Sequence, residues 1–132
     1  MRTFAFRLLP GEDLKKEIQS YLINQGIEAA VPLSVVGSLS QLNIRLAGAK
    51  TSFKQSGPRE ILALNGTLSQ HGSHLHLMVS DEHGNCIGGH LLEDCIVNTT
   101  VELVLADLPE LVFSRKPDAR TGYRELDVQK KN

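Results

Sequence analysis

The sequence predicts an α+β fold, a mostly antiparallel β-sheet with one main amphipathic helix. Three observations predict it. One helical stripe occurs early, β-type segments fill the rest, and 132 residues suffice for a single core, so residues 1–132 are read as one domain.

Each element follows from local pattern. Arg2 to Leu8 alternates, with Phe4, Phe6 and Leu8 on one side and Arg7 on the other, which suits a half-buried strand. Pro10-Gly11 breaks that run, and Glu12-Asp13 place negative charge where a helix N-terminus favours it. Leu14, Ile18, Tyr21 and Leu22 then form the apolar stripe of a helix that Gly26 can end in the left-handed region. Ile27 to Leu39 is rich in valine and small residues, with Pro32 requiring an edge or a bulge. Leu42, Ile44 and Leu46 alternate with polar neighbours, and residues 47–58 look like a loop. Further strands are expected over Glu60 to Leu68, Ile96 to Leu105 and Leu111 to Ser114, with a hairpin over Ser73 to Ser80 and Asn85 to Leu92. Thr121-Gly122 reads as a turn.

Charge excludes some functions. Fourteen basic and fifteen acidic side chains leave a formal charge of −1, too little for a chain that holds DNA by bulk charge. Residues 115–132 carry six basic against three acidic groups, a mildly basic C-terminal segment that reads as a solvated end. No apolar run is long enough to span a bilayer, and Arg7 interrupts what would be the core of a signal peptide. Two cysteines, Cys86 and Cys95, make no disulfide framework, so a cytoplasmic location is expected.

The chemistry concentrates in three histidines. On a strand, His74 and His76 share one face while Leu75, Leu77 and Val79 share the other. A three-residue loop Glu82-His83-Gly84, with glycine in the left-handed position, pairs Asp81 with Asn85 and brings His76 opposite His90. A loop one residue shorter or longer would turn His90 away. Three neutral imidazoles with an open position suit Zn²⁺ or another divalent metal. The plainer alternative is three histidines that only hydrogen-bond to neighbouring strands. Gly88 and Gly89 would let a ligand or another backbone approach His90. Cys86 shares the parity of His90 but reads as a small buried thiol, whereas His71 and His83 read as exposed. Glu60 is the candidate general base were the site an enzyme's, and otherwise a structural partner for Arg45 or Arg115. No Ser-His-Asp signature, P-loop or dinucleotide fingerprint is present, so a binding module is favoured over an enzyme.

Several motifs together carry a resemblance. Pro10-Gly11-Glu12-Asp13-Leu14, Gly37-Ser38-Leu39, Gly57-Pro58-Arg59-Glu60-Ile61-Leu62, Gly66-Thr67-Leu68, His74-Leu75-His76, Gly88-Gly89-His90-Leu91, and Asp118 with Thr121-Gly122 and Glu125-Leu126 resemble the plants-and-prokaryotes-conserved (PPC) domain over nearly the whole chain. The resemblance implies a trimer-forming α+β domain, a stand-alone prokaryotic-type member, and a metal or small ligand at His74, His76 and His90. It also implies a DNA-associated, regulatory role and a protein-partner segment over Gly57, Arg59, Glu60, Ile61 and Leu62. Here Pro58 and Arg59 replace the Arg-Phe pair of the plant pattern, and the Arg-Gly-Arg-Pro AT-hook of the plant fusions is absent. DNA contact is therefore expected to be weak or indirect. The alternatives are a metal-dependent enzyme using the same histidines, and a purely structural or protein-interaction domain.

Overall fold

The computed structural model describes residues 1–132. Eight strands and one helix run in the order β1 (Arg2–Leu8), α1 (Leu14–Gln25), β2 (Ala30–Arg45), β3 (Phe53–Thr67), β4 (His74–Ser80), β5 (Cys86–Leu91), β6 (Ile96–Asp107), β7 (Leu111–Asp118) and β8 (Tyr123–Lys130). Six strands form an antiparallel sheet in the order β1-β6-β2-β3-β4-β5. The end of β2 also pairs with β5, Ile44 with Leu91 and Arg45 with His90, so one side of the sheet closes on itself. β7 and β8 form a separate two-stranded sheet. No helix is long and apolar enough to cross a membrane.

The helix forms where the stripe predicts it. Asp13 caps its start: one carboxylate oxygen accepts from the Lys16 amide at 3.0 Å, the other from the Asp94 amide at 2.7 Å. That second bond ties the helix start to the β5–β6 connection. At the other end Gly26, at φ +64°, lets the Ile27 amide return to the Leu22 carbonyl. Leu14, Ile18 and Leu22 are fully buried, and Tyr21 stacks on Phe6 with ring centroids 3.7 Å apart. They face a core of Leu39, Leu42, Ile44, Leu77, Leu91, Leu103 and Leu105 from four strands, with Leu68 just beyond β3. Burying one such leucine contributes roughly 1.5–3 kcal/mol. Buried Asp107 accepts from Arg2 at 2.8 Å, which removes the cost of an unpaired carboxylate.

Three expectations change. The two segments expected over Ile27 to Leu39 and around Leu42 to Leu46 are one strand, β2, kinked by bulges at Pro32/Ser34 and Leu39/Gln41. Pro32 thus lies at a bulge, where its missing N–H breaks no regular ladder. The expected loop over 47–58 is real only to Ser52, because Phe53 and the polar Lys54 to Ser56 pair with Ile44 to Gln41. Gly57 and Pro58 fall within the β2–β3 irregularity that absorbs the proline. Finally, 115–132 is no free solvated end. Arg115 to Asp118 pair with Leu126 to Tyr123 across a turn at Ala119–Gly122, and the Phe113 amide donates to the Glu28 carbonyl. Asp118 grips Arg120 within this turn, at 2.7 and 3.0 Å.

Candidate metal centre

The β4–β5 hairpin has the register that glycine at the turn demands. Gly84 adopts φ +79°, Asp81 donates its amide to the Asn85 carbonyl at 2.9 Å, and the Asp81 carboxylate accepts from the His83 and Asn85 amides, each at 2.9 Å. The ladder then pairs Ser80 with Cys86 and His76 with His90. Leu75, Leu77 and Val79 point into the core, so His74 and His76 must point out. Gly89 removes the Cβ that would meet the Arg45 carbonyl oxygen at 2.5 Å, and thereby lets β2 lie against β5. The backbone that approaches beside His90 is therefore β2, bringing Arg45 opposite it.

Three imidazoles converge on that face. Ring centroids are separated by 5.0 Å for His74–His76, 5.1 Å for His74–His90 and 5.9 Å for His76–His90. One ring nitrogen of each lies within 4.8 Å of the other two. His90 Nδ1 is buried and has no hydrogen-bond partner, an arrangement that costs free energy unless a ligand completes it. Burial, then the neighbouring Arg45 charge, pushes the His90 imidazole down to about 4. Burial and the nearby His76 and Arg115 push His74 down as well. Unprotonated imidazoles have the lone pairs a metal requires. The three-imidazole donor set, the downward shifts of His74 and His90, and the unpartnered Nδ1 all fit a divalent cation of zinc type.

The ledge beyond the triad comes from parts the sequence reading did not combine. A cavity of about 280 Å³ lies over His74 and His76, between Thr67 of β3 and Arg115 and Glu125 of the β7–β8 hairpin. A neighbouring cleft of about 460 Å³ includes His74, His90, Arg45, Tyr123 and Arg124. Arg115 donates to Thr67 Oγ1 at 2.8 Å, while Arg124 donates to the Arg115 carbonyl at 2.7 Å. The turn at Thr121-Gly122 together with alternating Leu126 and Val128 was the available signal for β8.

Other expected residues are dispersed. Glu60 is exposed and pairs in the ladder with Ser80, four residues along β4 from His76, so it does not stand beside the triad as a base. It forms no ion pair with Arg45 or Arg115, since the latter holds Thr67 instead. Ile61 is a core residue, which leaves Leu62, half exposed at the β3 bulge, as the apolar group that segment offers to solvent. Arg59 folds back on Gln55 and the Pro58 carbonyl. Cys86 is exposed, against expectation, because its parity is that of the histidine face; it stands outside the triad. The buried thiol is Cys95, which exchanges hydrogen bonds with the Asn43 backbone at 3.2 Å. His71 and His83 are exposed as expected.

Comparison with known proteins sets these features in context. Residues 1–109 match the family model described as the Plants and Prokaryotes Conserved (PCC) domain. A hypothetical protein from Salmonella enterica has the same fold, with a TM-score of 0.97 and 40% identity over 99% of this chain and 95% of that one. A metal-containing protein from Archaeoglobus fulgidus superposes with a TM-score of 0.77 and 27% identity over 96% of this chain and 94% of that one. The bifunctional protein GlmU of Synechococcus sp. (strain JA-3-3Ab) is 48% identical over 98% of this chain. This chain spans about a fifth of the length of the curated relatives it matches, 21% of that one.

Proposed function

The chain belongs to the Plants and Prokaryotes Conserved domain family, and from that premise we propose that it is a metal-binding module whose ion is held by His74, His76 and His90. One observation carries the reading: three imidazoles on one face with ligand atoms within 4.8 Å, one of them with a buried nitrogen that nothing else satisfies. The metal-containing relative from Archaeoglobus fulgidus supports it. A zinc-type ion there would supply a Lewis acid with an open position. The residues of this chain would do the rest. The hairpin keeps the three rings on one side, burial keeps His74 and His90 unprotonated, and Thr67 with Arg115 fixes the wall above them.

The reading extends to a homotrimer, supported by the exposed apolar side chains Leu33 and Val36 of β2 and Leu62 of β3 beside a cavity of about 280 Å³ that includes Pro32, Val35 and Leu64. DNA association is weak and without sequence preference, in keeping with a net charge of −1. Two free cysteines support residence in a reducing cytoplasm. A sequence nearly half identical within a much longer protein supports the idea of a transferable module.

The test is elemental analysis of untagged protein. One equivalent of zinc or a similar metal per chain is expected, falling to background in His76→Ala. Metal-free protein that also fails to take up added zinc overturns the reading and leaves a structural or interaction domain.

A further inference from the structure

The cleft beside the triad has a charge pattern of its own. Three guanidinium groups, Arg45, Arg115 and Arg124, line it against one carboxylate, Glu125. None of the three arginines forms an ion pair, although six lysine or arginine ion pairs occur elsewhere in the chain. Glu125 is engaged by the Thr121 hydroxyl at 3.0 Å. Two of the guanidiniums are anchored rather than loose. Arg115 gives one nitrogen to Thr67 Oγ1, and Arg124 gives one to the Arg115 carbonyl. Each guanidinium has five N–H donors, so most remain for a ligand. Arg45 stands directly across the β2–β5 ladder from His90, close enough for its side chain and the imidazole to meet one ligand.

Like charges concentrated in a concave site repel one another and focus an attractive field for anions. Arginine's planar fork matches a carboxylate or phosphate better than it matches water. We propose that this cleft binds a small multiply charged anion, one anionic oxygen on the open metal position above His74, His76 and His90 and another on Arg45 and Arg115. The proposal rests on the metal reading, because the ion supplies one of the two anchors. The shared chemistry is a pair of anionic oxygens, from a dicarboxylate or from a phosphate.

Cobalt-loaded protein separates the possibilities, because visible bands of Co²⁺ report both its uptake and a change in its ligands. Cobalt uptake is measured first, then the loaded protein is titrated with malonate, inorganic phosphate and acetate at constant ionic strength. A saturable band shift is expected with malonate or phosphate, tighter by about tenfold than with singly charged acetate. Whichever of the two binds more tightly identifies the source of the oxygens. Arg45→Gln and Arg115→Gln, each compared at equal cobalt loading, are expected to weaken that binding by about tenfold or more. Arg7→Gln, on the outer strand β1, is expected to leave it unchanged. No cobalt uptake would defeat the metal reading and this proposal together. Cobalt uptake with no shift from malonate or phosphate up to about 50 mM, far weaker than a paired contact warrants, would defeat this proposal alone. So would arginine variants that load cobalt and bind the anion as tightly as the native chain.

Discussion

Gly66 tests how the sheet positions the metal ligands. At this residue φ is +148°, and a Cβ added there would run into the His74 carbonyl oxygen, 2.9 Å from its carbon and 3.0 Å from the Leu75 Cα. All three atoms are β4 backbone, so no flexible side chain can swing away. For Gly66→Ala, strained backbone should cost about 1–3 kcal/mol. Overlap with fixed backbone should add about 1–3 kcal/mol. Gly48→Ala is the control: φ is +70° there and the Cβ meets nothing within 4 Å. Only the left-handed penalty of about 1–2 kcal/mol then applies. The assay is urea unfolding of both metal-free variants, with zinc stoichiometry measured in parallel. Gly66→Ala should lower the midpoint by roughly 1–2 M, clearly beyond Gly48→Ala. It should also lose zinc, because the clash displaces the backbone of a ligand. If Gly66→Ala unfolds with Gly48→Ala and keeps its metal, the close approach of β3 to β4 does not position His74.

Two further predictions use ionisation and burial. His90 is held at about 4 in the fold against about 6.5 in an unfolded chain, so between those values the unfolded chain binds more protons. Its contribution to stability is therefore full above about pH 6.5 and lost as the pH falls toward 4. The urea midpoint of the metal-free protein should decline across that window, and less steeply in His90→Asn; equal slopes would remove His90 from the cause. Burial pushes the Cys95 thiol up to about 11, whereas Cys86 is exposed. A thiol reagent at neutral pH should thus modify one cysteine in the native protein and both in urea, with Cys86→Ser abolishing the native reaction. Rapid native modification of both would refute this packing.

The parts of the site that were legible in the sequence share a property: their geometry is set within a few residues. Parity along β4 separates Leu75, Leu77 and Val79 from His74 and His76, and one glycine in the left-handed region decides the pairing across the turn. The helix was legible for the same reason, with its stripe, its cap at Asp13 and its stop at Gly26 all local. What escaped depends on distant partners. Lys54 to Ser56 are polar and loop-like, and become strand only because β2 presents a free edge to them. β8 is largely exposed, so its apolar alternation is thin, and Arg124 and Glu125 look like surface charges until the hairpin lays them over His74.

The difference has a functional consequence. The metal ligands lie on one hairpin, whose local register sets His76 against His90, with the neighbouring β3 placing His74. The arginines come from β2, β7 and β8, three segments separated by up to 79 positions, and meet only when the β7–β8 hairpin docks beside the main sheet. Ligand-binding chemistry beyond the ion is therefore a property of the tertiary fold rather than of a motif. Substitutions in β7 or β8 that leave the three histidines untouched would alter what the site accepts without altering whether it holds a metal. In a family that keeps the hairpin but varies those strands, the charge of the cleft, not the triad, would set the ligand.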